Sequence, residues 1–130
     1  MSKKEKSTCF PVKPKLEQRS LLDEQQASEL ESTFKTLANA TRLRLLHALV
    51  QAGELCVSEL AEKLEMSPQA VSNQLQRLSD RGIVEARREG LQMYYYIIDP
   101  CVVMLLDRGW CLTEDSAERT ATKPKGKRAV

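Results

Sequence analysis

The apolar residues change their spacing along the chain, and the changes mark out its elements. From Leu22 to Leu37 they recur every three to five positions (Leu22, Ala27, Leu30, Phe34, Leu37), which predicts an amphipathic helix capped by Asp23. A second helix is expected in NATRLRLLHALVQAG, capped by Asn39 or Thr41 and stopped by Gly53, with Leu43, Leu46, Leu49 and Val50 as its buried stripe. His47 lies inside this apolar stretch and reads as packed core. A short third helix covers about 57–64, with Val57, Leu60, Ala61 and Leu64 on one face. Ser67 and Pro68 then supply the cap and first residue of a fourth helix, which runs to about Arg81 and stops at Gly82. Its inward face is Val71, Leu75 and Leu78. Two strands follow, 83–87 and 93–98, joined at Glu89-Gly90. Asp99-Pro100 opens a last helix, about 100–113, apolar nearly all round through Val102, Val103, Met104, Leu105, Leu106, Trp110 and Leu112. A helix that apolar at the end of a small domain wants a partner.

The order helix, turn, helix, ribbon predicts a mainly α fold with a small β-hairpin wing, a dimeric winged helix-turn-helix that reads DNA. Off the core face of the fourth helix stand Gln69, Ala70, Ser72, Asn73, Gln74 and Arg77. Asn and Gln pair with adenine edges, Arg with guanine or phosphate, and Ser with several groups. With the cap Ser67 these make the candidate reading set. Arg87 and Arg88 sit beside Gly90 in the ribbon, placed for a phosphate or the minor groove. Tyr94, Tyr95 and Tyr96 alternate faces and cannot all be core.

Composition narrows the setting. The chain has 130 residues, 42% hydrophobic and 29% charged, as expected for one soluble domain. No apolar run reaches a membrane-spanning length, and the charged N-terminus lacks the apolar stretch of a secretory signal. A cytoplasmic location without a membrane partner is the expectation. Net charge is +2, unevenly spread: residues 1–22 carry +4 and 119–130 carry +5, leaving −7 on 23–118. Nucleic-acid binding by the core must therefore come from a local patch. The division expected is a flexible basic arm (1–20), a DNA-binding and dimerisation domain (21–116) and a disordered basic tail (117–130). No organic cofactor is expected, and an enzyme is not: the single His47 has no evident partner, and no phosphate-binding glycine loop occurs.

The four cysteines, Cys9, Cys56, Cys101 and Cys111, bear on regulation. In a reducing compartment they are metal-binding, redox-active or structural. Cys101 and Cys111 are ten residues apart, about 15 Å along a helix axis, so one ion cannot bridge them within a chain. Two antiparallel last helices in a dimer would bring one of each together. Cys101 lies in the first turn, where the helix dipole favours negative charge.

The segments LANATRLRLLHAL, GELCVSELAEKLEMSPQAVSNQLQRLSDRGIVEARREGLQMYYYI and DPC, spanning about 34–101, resemble the ArsR/SmtB family of metal-responsive repressors. The resemblance implies a homodimer that holds double-stranded operator DNA when ligand-free and leaves when a metal binds. It implies two possible metal locations. At the third helix, Cys56 matches the first cysteine of an ELCVCD pattern, while Ser58 and Glu59 replace its second cysteine and its aspartate; Cys9 could add a ligand. At the last helix, Asp99-x-Cys101 and Cys111-x-x-Glu114 stand where the family has Asp-x-His and His-x-x-Glu, with one residue fewer between the halves. Cysteine in place of histidine favours a soft ion: Cd, Pb, Hg or As(III). Two other readings stay open: a thiol-based redox or persulfide sensor of the same fold, and a ligand-independent architectural DNA binder using the basic tails.

Overall fold

A computed structural model describes residues 12–122. After a 3-10 turn at Leu16–Gln18, the order is α1 (Glu24–Leu37), α2 (Ala40–Ala52), β1 (Leu55–Cys56), α3 (Val57–Leu64), α4 (Pro68–Asp80), β2 (Val84–Glu89), β3 (Gln92–Ile97) and α5 (Pro100–Thr122). The helix starts follow their caps. The Asp23 side chain accepts from the Gln26 backbone N–H, Asn39 from Arg42 and Ser67 from Ala70, each satisfying an N–H that has no partner in the helix. Between α3 and α4 the chain turns within Glu65, Met66 and Ser67. Glu65 takes the left-handed conformation at φ 55°, which ends α3.

The core lies where α2, α3 and α4 meet the sheet. Leu45, Leu46, Leu49, Leu60, Val71, Leu75, Leu78 and Val84 are its largest fully buried side chains. The sheet has order β1-β3-β2, all antiparallel, with Cys56 opposite Tyr94 and Arg87 also opposite Tyr94 from the other side. β2 and β3 form the wing, turned by Gly90 and Leu91. Gly90 has φ 63°, which glycine adopts without steric cost.

Several expectations change. The buried face of α2 is Leu45, Leu46, Ala48 and Leu49; Leu43 and Val50 stand at its exposed margin and His47 is exposed, not core. α2 is apolar on more than one side, so periodicity alone does not set its rotational phase. On α1 only Leu37 is buried, and Leu30 and Phe34 are exposed. α5 has no buried residue and continues to Thr122, past the end expected near residue 113 and past the domain boundary placed at 116. Its extension, TEDSAERTAT, contains no Gly or Pro to stop it. The strands are 84–89 and 92–97 rather than 83–87 and 93–98. β1, two residues long, has no periodic signal of its own.

Candidate nucleic-acid interface and cysteine sites

Burial of Val71, Leu75 and Leu78 sets which side of α4 faces out. Gln69, Asn73 and Arg77, at four-residue spacing, are exposed and form one ridge. Gln69 Nε2 donates to Asn73 Oδ1 at 3.0 Å, which aligns the first two. Ser67 is exposed at the helix start, its hydroxyl accepting the Ala70 N–H at 3.1 Å. Ala70, Ser72 and Gln74 are half-buried at the edges of the ridge. Gln74 is drawn toward α2, where its Oε1 accepts from Arg42 Nη1 at 3.0 Å.

The two wing arginines differ. Arg87 is held by carboxylates: Nε and Nη2 donate to the two oxygens of Glu54 at 2.8 and 2.7 Å, and Nη1 donates to Glu89 at 2.6 Å. Its guanidinium also lies 5.1 Å from the centre of the Tyr94 ring. This fork-on-fork pair ties the wing to the residue just before β1. Arg88 is exposed and donates through Nε to the Gly90 carbonyl at 3.2 Å. The hydrogen bond from Arg87 holds the Glu54 carboxyl below its ordinary value, and the two carboxylates push Arg87 up. Tyr96 is raised, chiefly by its hydrogen bond to Glu85, and Tyr94 chiefly by desolvation, with Cys56 and Glu59 adding.

A pH dependence follows for the wing. A depressed carboxyl stabilises the folded pairing above its unfolded value, about 4.3 for Glu, and the contribution is lost as pH falls through the lowered folded value. The Arg87 Nε–H chemical shift in NMR should therefore keep its hydrogen-bonded position as pH falls from neutrality and move only below the ordinary Glu value of about 4.3. A move already at about pH 6 would show that Glu54 does not hold the arginine.

The cysteines are dispersed. Cys56 is buried beside the start of α3, its sulfur 3.2 Å from Ser58 Oγ, and its backbone N–H donates to Glu59. Cys111 is exposed and free, 3.7 Å from Asp115 Oδ2. Cys101 is half-buried in the first turn of α5. Asp99 Oδ1 accepts the Cys101 backbone N–H at 2.8 Å, and Glu114 Oε2 accepts from Trp110 Nε1 at 2.9 Å. Cys9 lies outside the described residues. Among the described residues no three His, Cys, Asp or Glu side chains converge. The Asp99, Cys101, Cys111 and Glu114 set is therefore not assembled within one chain. Arg42 and Glu54, which carried no role in the sequence reading, hold Gln74 and Arg87 in place; their partners lie more than thirty residues away, beyond any local signal.

The fold and its exposed ridge define a winged helix-turn-helix domain. Residues 39–86 match the model of the arsR family of bacterial regulatory proteins. The chain is 41% identical over 80 residues to a transcriptional repressor SmtB homolog of Synechocystis, covering 62% of this chain and 60% of that protein. It is 42% identical over 74 residues to the arsenic resistance transcriptional regulator ArsR1 of Pseudomonas putida, covering 57% of each. Among solved structures, the AntR antimony-specific transcriptional repressor is 52% identical, with a TM-score of 0.70, over 82% of this chain and 96% of that one. The chain belongs to the ArsR family. It spans about three fifths of the length of the curated relatives just named. No described helix is long and apolar enough to cross a membrane.

Proposed function

We propose that this chain is a cytoplasmic transcriptional repressor that binds double-stranded operator DNA as a homodimer and is released by a soft, thiophilic metal or metalloid ion. The observation that carries the reading is the exposed ridge of Gln69, Asn73 and Arg77 on α4, flanked by a wing that presents Arg88. Such a ridge enters the major groove with adenine- and guanine-pairing side chains, and Arg88 meets a phosphate. Arg87, already neutralised by Glu54 and Glu89, serves as the brace of the wing.

Dimerisation is supported by the apolar side chains that α1 and α5 leave uncovered: Phe34 is 46% exposed and Trp110 63%. The effector is read from donor chemistry and from the relatives. Thiolates favour soft ions. The names of two relatives, an antimony-specific repressor and an arsenic resistance regulator, support antimony and arsenic as candidates beside cadmium, lead and mercury. Within one chain the last-helix donors do not converge, so the ion would draw on Cys101 and the partner subunit's Cys111, with Asp99 and Glu114 as supplementary oxygen donors and the buried Cys56 as a second location. A thiol redox switch is the second reading. It is supported by the exposed, free thiol of Cys111, and mass spectrometry after oxidant, compared with metal titration, separates the two.

The test is on α4. Alanine at Asn73 or Arg77 should reduce operator affinity by about 1–3 kcal/mol each if both contact bases. Arg88→Ala should weaken binding across sequences and flatten its salt dependence. A Gln69, Asn73, Arg77 triple alanine variant that binds the operator as the wild type does would refute the interface.

A further inference from the structure

Arg42 stands where α1, α2 and α4 meet. Its Nε donates to the Thr36 carbonyl at 2.6 Å, Nη2 to the Lys35 carbonyl at 3.5 Å and Nη1 to Gln74 Oε1 at 3.0 Å. Its own backbone N–H is held by the Asn39 side chain at 3.0 Å, which fixes the start of α2. Lys35 and Thr36 belong to the last turn of α1, where backbone carbonyls lack helical partners and a cation complements the helix dipole. One half-buried guanidinium thus grips the end of α1 and the flank of the reading helix together.

The grip also sets a polarity. Arginine has donors only, so the Gln74 carbonyl oxygen must face Arg42 and the amide NH2 must turn away. Gln74 then presents donors alone to anything approaching its free side, such as a phosphate oxygen or a base acceptor, and cannot pair bidentately with adenine.

We propose that Arg42 is a positioning residue that locks the reading helix α4 to α1, so that the geometry of the dimer reaches the DNA groove. The inference rests on the repressor reading above, in which the exposed face of α1 carrying Leu30 and Phe34 helps seat the second subunit. A two-fold reader must hold its two reading helices about 34 Å apart to meet successive major grooves. A rigid link between the subunit seat and α4 removes slack from that separation. Losing the link should relax the preference for one half-site spacing, beyond any loss of affinity.

The experiment uses the full-length wild-type protein to enrich duplexes from a random library. It then measures affinity for the enriched operator and for versions with one base pair added or removed between half-sites. Arg42→Met and Gln74→Met should each lose about tenfold at the preferred spacing and much less at the altered spacings, and the double variant should be no worse than either single one. Arg42→Lys keeps the charge without the fork and should behave like Arg42→Met. Equal loss at every spacing, or single losses that multiply in the double variant, overturns the proposal. Should Arg42→Met fail to fold, Gln74→Met decides alone, because it leaves the α1 cap intact; an unchanged spacing profile overturns the link. A wild type that enriches no sequence overturns the repressor reading and this inference with it, whereas a wild type with a spacing preference that Gln74→Met does not alter overturns this inference only.

Discussion

Replacing Trp110 with glutamate is expected to leave a folded monomer that has lost its operator. Trp110 is 63% exposed and touches none of the core, so the change spares the fold of the single chain. In a two-fold dimer each substitution occurs twice across the interface. Fully burying one large apolar side chain is worth about 1.5–3 kcal/mol, so removing it from both subunits costs about 3–6 kcal/mol before the carboxylate's desolvation is counted. At about 1.4 kcal/mol per factor of ten, the dimer dissociation constant rises at least about a hundredfold. Each monomer then offers one α4 to one half-site and holds DNA weakly. Sedimentation velocity and operator titration at the same protein concentration check both halves. A wild type that sediments as a monomer at micromolar concentration would sink the prediction. Leu106 is a poorer choice because it packs against the core of its own chain, and a charge there would unfold the domain itself.

The second large effect is on release. Cys101→Ser and Cys111→Ser should each bind the operator as the wild type does in reducing buffer, yet stay bound when antimonite, arsenite, Cd(II) or Pb(II) is added. An effector that favours the DNA-incompetent dimer shifts operator affinity by about 1–3 kcal/mol, and by linkage the operator weakens ion binding by the same factor. Removing one thiolate removes most of that coupling, because the remaining sulfur and carboxylates make a poor soft-ion site. Mercury, a strong two-thiolate binder, can still act on either serine variant through Cys9 and Cys56. Titration of operator-bound protein with each ion, followed by fluorescence anisotropy, provides the measurement. If both serine variants release DNA like the wild type while Cys56→Ser does not, the sensing site lies at the start of α3 rather than on α5.

The helix-turn-helix itself was legible in the sequence because its signals are local. Ser67 caps α4 within three residues, Pro68 starts it, and Val71, Leu75 and Leu78 repeat at helical spacing and are all buried. The α3 bounds at 57–64 follow from the same kind of pattern. The phase of α2 was not legible. Its apolar residues cover more than one side, so whether His47 points inward depends on what packs against the helix, and Leu45, Leu46, Ala48 and Leu49 are what the sheet and α3 select.

The wing and its neighbours show the same division. The sequence placed two basic residues beside Gly90, but local pattern treats Arg87 and Arg88 alike. Only the pairing register of β2 with β3, and the position of Glu54 before β1, commits Arg87 to two carboxylates and leaves Arg88 exposed. Likewise, Gln74 and Asn73 are equivalent polar residues along the chain, yet Arg42 reaches one and not the other.

The sequence by itself determined the order of the five helices and the two wing strands, the caps of α1 and α4, the inward faces of α3 and α4 and the candidate ridge on α4, because each depends on residues within about one or two helical turns of one another. The tertiary structure alone decided which side of α2 is buried, which arginine is neutralised, which glutamine is clamped, and that Leu30 and Phe34 on α1 and Trp110 and Leu112 on α5 stay uncovered in the single chain. Those outcomes depend on side chains brought together from some thirty residues apart, such as Arg42 with Gln74 and Glu54 with Arg87, and nothing in local spacing specifies such a meeting.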